Sequence, residues 1–221
     1  MRYRYYFLEA LLITCALFVI GFLIGLGIEQ ARNEYLRSSY YETEKDLLEL
    51  KEQLNIKNLG RFTCEELSEK NFEIGNKIYE QALIFAEYES SAIFTKSQMI
   101  REHRKFDLLR TSYWINSIEI KNRCGKKVFS TLVYLYDYPA ETNNEIAKQK
   151  VIEGLTYQIK SSAESEIILI PIAKNLDIPE LDGLISKYNL NSNSVALIVD
   201  EKDVFFYSDI SKIREYFEID R

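Results

Sequence analysis

Histidine and tryptophan each occur once in this chain, methionine twice, and cysteine and proline three times each. One imidazole and three thiols are too few for a multi-histidine or four-cysteine zinc centre, and neither a metal nor any other cofactor is expected. Three prolines and eight glycines in 221 residues exclude collagen-like or low-complexity sequence. No Walker loop, G-x-G-x-x-G, G-x-S-x-G or H-E-x-x-H occurs, so no phosphate cradle, nucleophile elbow or zinc-protease helix is assigned and the reading leans away from an enzyme. There is no N-x-[ST] acceptor either. The net charge of −6 offers no basic field for nucleic acid. What the chain does have is apolar bulk: 47% hydrophobic residues, too many for a disordered protein.

Much of that bulk is concentrated near the start. Residues 10–28 read ALLITCALFVIGFLIGLGI without a charge, a run of roughly 28 Å as a helix, close to the hydrocarbon thickness of a bilayer. Tyr3, Tyr5, Tyr6 and Phe7 precede it, where rings favour the headgroup layer. The run is longer than a signal-peptide core and leads into helical sequence without a small-x-small site, so an uncleaved anchor contacting membrane lipid is expected, with Cys15 as one of its small apolar residues. Arg2 and Arg4 precede the run and Arg32 and Arg37 follow it, so the basic side chains balance, and the short basic N-terminal end is the one expected to stay in the cytoplasm. The expected topology is a single-pass cell-membrane protein with residues 1–9 cytoplasmic and 29–221 outside the cytoplasm.

Beyond the span, Leu36, Tyr40, Thr43, Leu47, Leu50 and Leu54 repeat at steps of four and three, the spacing of a coiled-coil seam. A stalk over 29–59 packing on its own domain is expected; a homodimer through 36–54, making the chain an oligomerising structural stalk, is the rival. Thr63 to Glu66 fits a capping box, and Thr95 or Ser97 opens a second helix that runs to Cys124. These predict a helical hairpin over 63–124. A turn near Phe94 places Cys64 opposite Cys124, and outside the cytoplasm the two are expected to pair, closing a loop worth about 4 kcal/mol in denatured-chain entropy.

The hairpin also carries the densest polar and aromatic cluster, with His103, Arg104, Arg110, Tyr113 and Trp114 as a candidate interaction surface. His103 and Asp107 share a helix face, as an acid–base pair or as a structural contact. Arg104 and Arg110 are expected to meet acidic residues such as Glu73 or Glu80. Tyr113 and Trp114 read either as hairpin core or as the anchor of a protein interface.

Residues 126–221 change character. Val128–Tyr136 and Glu166–Ala173 are rich in β-branched residues and flank a helix from Asn143, which makes a right-handed β-α-β unit. A helix over Ile178–Tyr188, strands at Val195–Val199 and Val204–Tyr207 about a turn at Asp200–Asp203, and a helix over Ile210–Phe217 follow. The order β-α-β-α-β-β-α, with the stretch LDGLISKYNLNSNSVALIVDEKDVFF, resembles the thioredoxin-like fold. The expected fold class is therefore an α/β C-terminal domain on that plan, preceded by a membrane helix, a stalk and a helical hairpin. The resemblance places Pro171 on an edge strand, where proline is tolerated.

Redox members of that family carry Cys-x-x-Cys after the first strand, where this chain has Tyr138, Pro139, Ala140 and Glu141. The family's cis-proline position falls near Ser194, which is not proline. The resemblance thus implies a scaffold without its usual thiol chemistry, suited to holding a protein partner at the membrane. A thiol–disulfide oxidoreductase using Cys64 and Cys124 is the competing function. The acidic pairs Asp137 with Glu141 and Asp200 with Asp203 read as turn residues rather than cation ligands.

Overall fold

A computed structural model of the chain describes residues 2–55, 62–90, 95–125, 128–162, 167–188, 190 and 195–217. The chain divides into two units, Met1–Glu42 and Thr43–Arg221. Helix α1, Arg2–Asn55, runs through both. Of the stalk expected over 29–59, residues 29–55 are helical, residues 43–55 fall in the second unit, and 56–59 lie outside the described residues.

In the first unit, the helical segment Tyr5–Ala31 contains an 18-residue window with a mean hydropathy of 2.7, and none of that window is buried by the protein. Leu12 is 68% and Phe18 74% exposed. The helix is long and apolar enough to span a membrane, and it is the one such helix among the described residues. Its Thr14 hydroxyl donates back to the Ala10 carbonyl at 2.9 Å, so this polar group is satisfied within the helix.

In the second unit the end of α1 lies against α2, Cys64–Ser90, and α3, Lys96–Cys124. Thr43, Leu47 and Leu50 are buried. The Gln81 amide donates to the Thr43 hydroxyl at 2.7 Å, and Asn116 donates to the Leu47 carbonyl at 3.1 Å. This part of the seam is filled by the chain's own helices, the arrangement expected of a stalk packing on its own domain. The side chains of Leu36 and Leu54 lie outside the described residues.

Helices α2 and α3 are antiparallel, with partners equidistant from position 94. Cys64 is disulfide-bonded to Cys124, Asn71 donates to Ser117 at 3.1 Å, and Phe85 meets the His103 ring edge-on at 4.7 Å. The turn itself, 91–94, lies outside the described residues. Helix α2 opens on the expected capping box, with the Thr63 amide donating to Glu66 at 2.7 Å and the Glu66 amide to the Thr63 hydroxyl at 3.2 Å. Of the two candidate starts for α3, Thr95 is the cap, boxed with Gln98. Gly75 has no side chain where the Tyr113 hydroxyl comes close, which lets that hydroxyl donate to the Asn71 carbonyl at 2.9 Å.

The remaining elements are β1 (Ser130–Tyr136), α4 (Asn143–Ser162), β2 (Ile167–Ala173), α5 (Pro179–Ile185), β3 (Ala196–Val199), β4 (Asp203–Phe206) and α6 (Ile210–Tyr216). The four strands form one mixed sheet in the order β2-β1-β3-β4. β1 is parallel to β2 and antiparallel to β3, and β3 is antiparallel to β4. Period-2 alternation divides the buried residues between two faces. Leu132, Tyr134, Leu197 and Val199 pack with Ile152, Leu155 and Ile159 of α4 and Ile213 of α6. Val133, Leu135, Ile170, Ile172 and Ile198 are also buried, and α3 lies against β2. Cover on both faces explains why these strands read as continuous apolar runs. Pro171 stands opposite Tyr134 on β2, the outer strand, where a missing donor is tolerated. The helix expected over 178–188 is shorter, because α5 passes into a 3-10 turn at Ser186–Tyr188.

Candidate functional site at the carboxyl ends of the parallel strands

In open α/β sheets the carboxyl ends of parallel strands are where ligand groups gather, and here two of the sequence-derived clusters meet there. After β1 come Asp137, Tyr138, Pro139, Ala140 and Glu141; after β2 come Lys174 and Asn175. The two connections are bound together. The Lys174 amide donates to the Tyr136 carbonyl at 2.8 Å, its ammonium reaches Asp137 at 2.7 and 2.9 Å, and the Tyr138 amide donates to Asn175 Oδ1 at 2.8 Å. Ser194, the remaining position compared with thioredoxin-like proteins, lies outside the described residues.

Helix α3 supplies the other half. His103, Asp107, Arg110, Trp114, Ser117 and Lys121 follow steps of four and three along one face, and all six are buried. The His103 ring is stacked on Tyr138 with centroids 3.4 Å apart. Its Nε2 is 3.6 Å from Glu89 Oε2, longer than a hydrogen bond. The His103 ring and the Tyr138 hydroxyl hold the Glu89 carboxyl below the usual range, against the opposing effect of partial burial. Burial and Glu89 together push the Tyr138 phenol up.

Asp107 has no exposure at all. It accepts from Arg110 at 3.0 Å and from the Ala173 amide at 3.2 Å, joining α3 to the end of β2. Burial raises its pKa, and the Arg110 charge opposes that rise. The Arg110 guanidinium also lies 4.1 Å over the Phe106 ring. Among the described residues, His103 Nδ1, His103 Nε2 and Arg110 Nε have no hydrogen-bond partner.

Farther along α3 a second polar centre is closed. The Lys121 ammonium donates to Thr131 at 3.0 Å, Asp200 at 2.8 Å and Glu201 at 2.6 Å. Trp114 and Thr131 donate to Glu201 Oε1 at 2.8 and 2.6 Å. Asp200 and Glu201 form the β3–β4 turn with φ of 50° and 58°, a left-handed conformation unfavourable for side chains other than glycine. The bonds to Lys121, Thr131 and Trp114 hold them there.

The five residues expected as an interaction surface are therefore not one exposed cluster. His103, Arg110, Tyr113 and Trp114 are buried, and Tyr113 and Trp114 are core. Arg104 is exposed, but its guanidinium donates to the Leu176 and Asp177 carbonyls at 3.0 and 2.9 Å. Neither arginine meets Glu73 or Glu80 through the expected pairing: Arg110 takes Asp107, and Glu73 pairs with Lys77 at 3.1 Å. His103 and Asp107 are not hydrogen-bonded to each other, since Asp107 is engaged by Arg110. Asp137 is engaged by Lys174, and Asp203 is the first residue of β4 rather than a turn residue.

Sequence reasoning missed Glu89, Lys174 and Lys121. For Lys121 a signal existed, because it continues the four-and-three spacing that begins at His103. Glu89 and Lys174 lie on other elements, and no local pattern marks them. Chemically, the site presents titratable groups that largely occupy one another. Comparison with family models, with curated proteins and with solved structures found no significant match to this chain.

Proposed function

We propose that the chain is a single-pass membrane-anchored protein whose C-terminal part is a thioredoxin-like domain without its usual thiol chemistry, and that it holds a protein partner at the membrane surface outside the cytoplasm. The observation that carries this reading is the apolar helix Tyr5–Ala31, which nothing in the protein covers. An uncovered apolar surface of that length needs a non-aqueous partner, and a bilayer supplies one. The domain assignment is supported by the element order, by the sheet order β2-β1-β3-β4 with β1 parallel to β2, and by Pro171 on the outer strand. The orientation is supported by the Cys64–Cys124 disulfide, a bond kept in oxidising compartments. With four of the five residues of the expected interaction cluster buried, contact with a partner falls to exposed groups of α2, with Tyr79 and Leu83 at i and i+4 each 53% exposed.

The test uses the full chain with a C-terminal tag. It stays with the membrane through an alkaline wash, and protease added to unpermeabilised cells removes the tag. Release by the wash removes the anchor, and a tag cut only after permeabilisation reverses the orientation.

A further inference from the structure

We propose that the groove beside the Cys64–Cys124 disulfide is an exchange site for a polypeptide thiol with basic neighbours, which it captures covalently on Cys64. The groove has a volume of about 660 Å³. One wall is the first turns of α2, from which Cys64, Glu65, Ser68, Glu69 and Phe72 line it. Phe72, backed edge-on by Phe129 at 5.8 Å, makes the wall apolar, as a bound chain segment requires.

Three features specify the occupant. Cys64 is exposed and lines the groove whereas Cys124 is half-buried and does not, so Cys64 is the half of the bond that the groove presents. Ser68, only 8% exposed, also lines the groove, and its buried hydroxyl has no hydrogen-bond partner among the described residues. Glu65 and Glu69 are exposed carboxylates, so the rim is anionic. Lys160 also lines the groove, its ammonium bonded to the Ile167 carbonyl, and its single positive charge leaves the two carboxylates in excess. Such a rim repels a small acidic thiol such as glutathione and favours one flanked by lysine or arginine. Those same neighbours raise the incoming thiol's thiolate fraction.

In the exchange, the partner thiol gives its proton to solvent and its thiolate attacks Cys64 Sγ. The new S–S bond forms as the Cys64–Cys124 bond breaks, and the electron pair leaves on Cys124 Sγ, which takes a proton from solvent. One disulfide replaces another with no net oxidation, and the partner ends joined to Cys64. This goes beyond the anchoring reading and does not depend on it, since the exchange is measured on detergent-solubilised full-length protein whichever side of a membrane the domain occupies.

The probes are cysteine peptides flanked by lysine and arginine, or by glutamate. They are offered to a Cys15→Ser background, with each rate normalised to that peptide's reaction with bis(2-hydroxyethyl) disulfide. Mixed disulfides are trapped by alkylation and mapped by mass spectrometry. The basic peptide is expected on Cys64 with Cys124 alkylated, at a normalised rate about tenfold above the acidic one at low salt, the gap closing at high salt. Glu65→Gln with Glu69→Gln, which spares the Thr63–Glu66 cap, brings the ratio towards one. Equal rates for the two peptides, attachment to Cys124, a preference unchanged in the double variant, or no exchange at all would each overturn the proposal.

Discussion

Two polar centres lie along the same face of α3, and they differ in how completely their groups are satisfied. At the Lys121 end, one buried ammonium meets two carboxylates and a hydroxyl, and the sole tryptophan completes the set. At the His103 end, both ring nitrogens and Arg110 Nε have no hydrogen-bond partner among the described residues. Buried polar groups that are fully paired rigidify a fold, whereas groups left short of partners add little bonding of their own. The first centre is thus a clasp between α3 and the β3–β4 turn. The second is the place where the fold keeps titratable groups without needing all their bonds.

The largest expected effect is at the clasp. Lys121→Ala leaves Asp200 and Glu201 facing a cavity with no counter-charge, and the loss expected for breaking a buried pair is about 3–5 kcal/mol. Denaturant unfolding of the full chain in detergent, followed by the fluorescence of Trp114, reads it directly. His103→Leu is expected to change the same midpoint by no more than about 1 kcal/mol, since few bonds are lost and Glu89 is 43% exposed. A loss as large as that of Lys121→Ala would abolish the distinction between the centres. The smallest effect is a pH dependence. Glu89 has a lowered pKa in the folded chain, so its stabilisation is present above its ordinary value of 4.5 and is lost as pH falls through the lower folded value. Glu89→Gln therefore narrows the difference between midpoints at pH 6 and pH 3.5. Glu66, Glu145 and Asp209, lowered in the same direction, remain as the background common to both proteins.

The parts of this fold that could be read in advance are those encoded locally. The Thr63–Glu66 box, the uncharged run at 10–28 and the placement of Cys64 against Cys124 all follow from spacing within one or two helices. The strands were visible as apolar runs because both of their faces are covered. The burial of the α3 face was not legible for a physical reason: His103, Asp107, Arg110 and Lys121 are residue types that ordinarily face water. Only their distant partners, such as Ala173 for Asp107 and Glu201 for Lys121, make burial tolerable. Those partners are 66 and 80 residues away, beyond the reach of any periodicity. The same holds for Glu89 beside His103 and Lys174 beside Asp137, which only tertiary packing brings together.

Pro171 carries one more consequence. β2 has a single neighbour in the sheet, and an outer strand rich in isoleucine is a template on which another copy could zip. On the proposed anchoring, copies confined to a bilayer would meet one another far more often than copies dispersed in three dimensions. A ring without an amide hydrogen, placed in the middle of that strand, interrupts the row of donors such stacking needs and so keeps crowded neighbours apart.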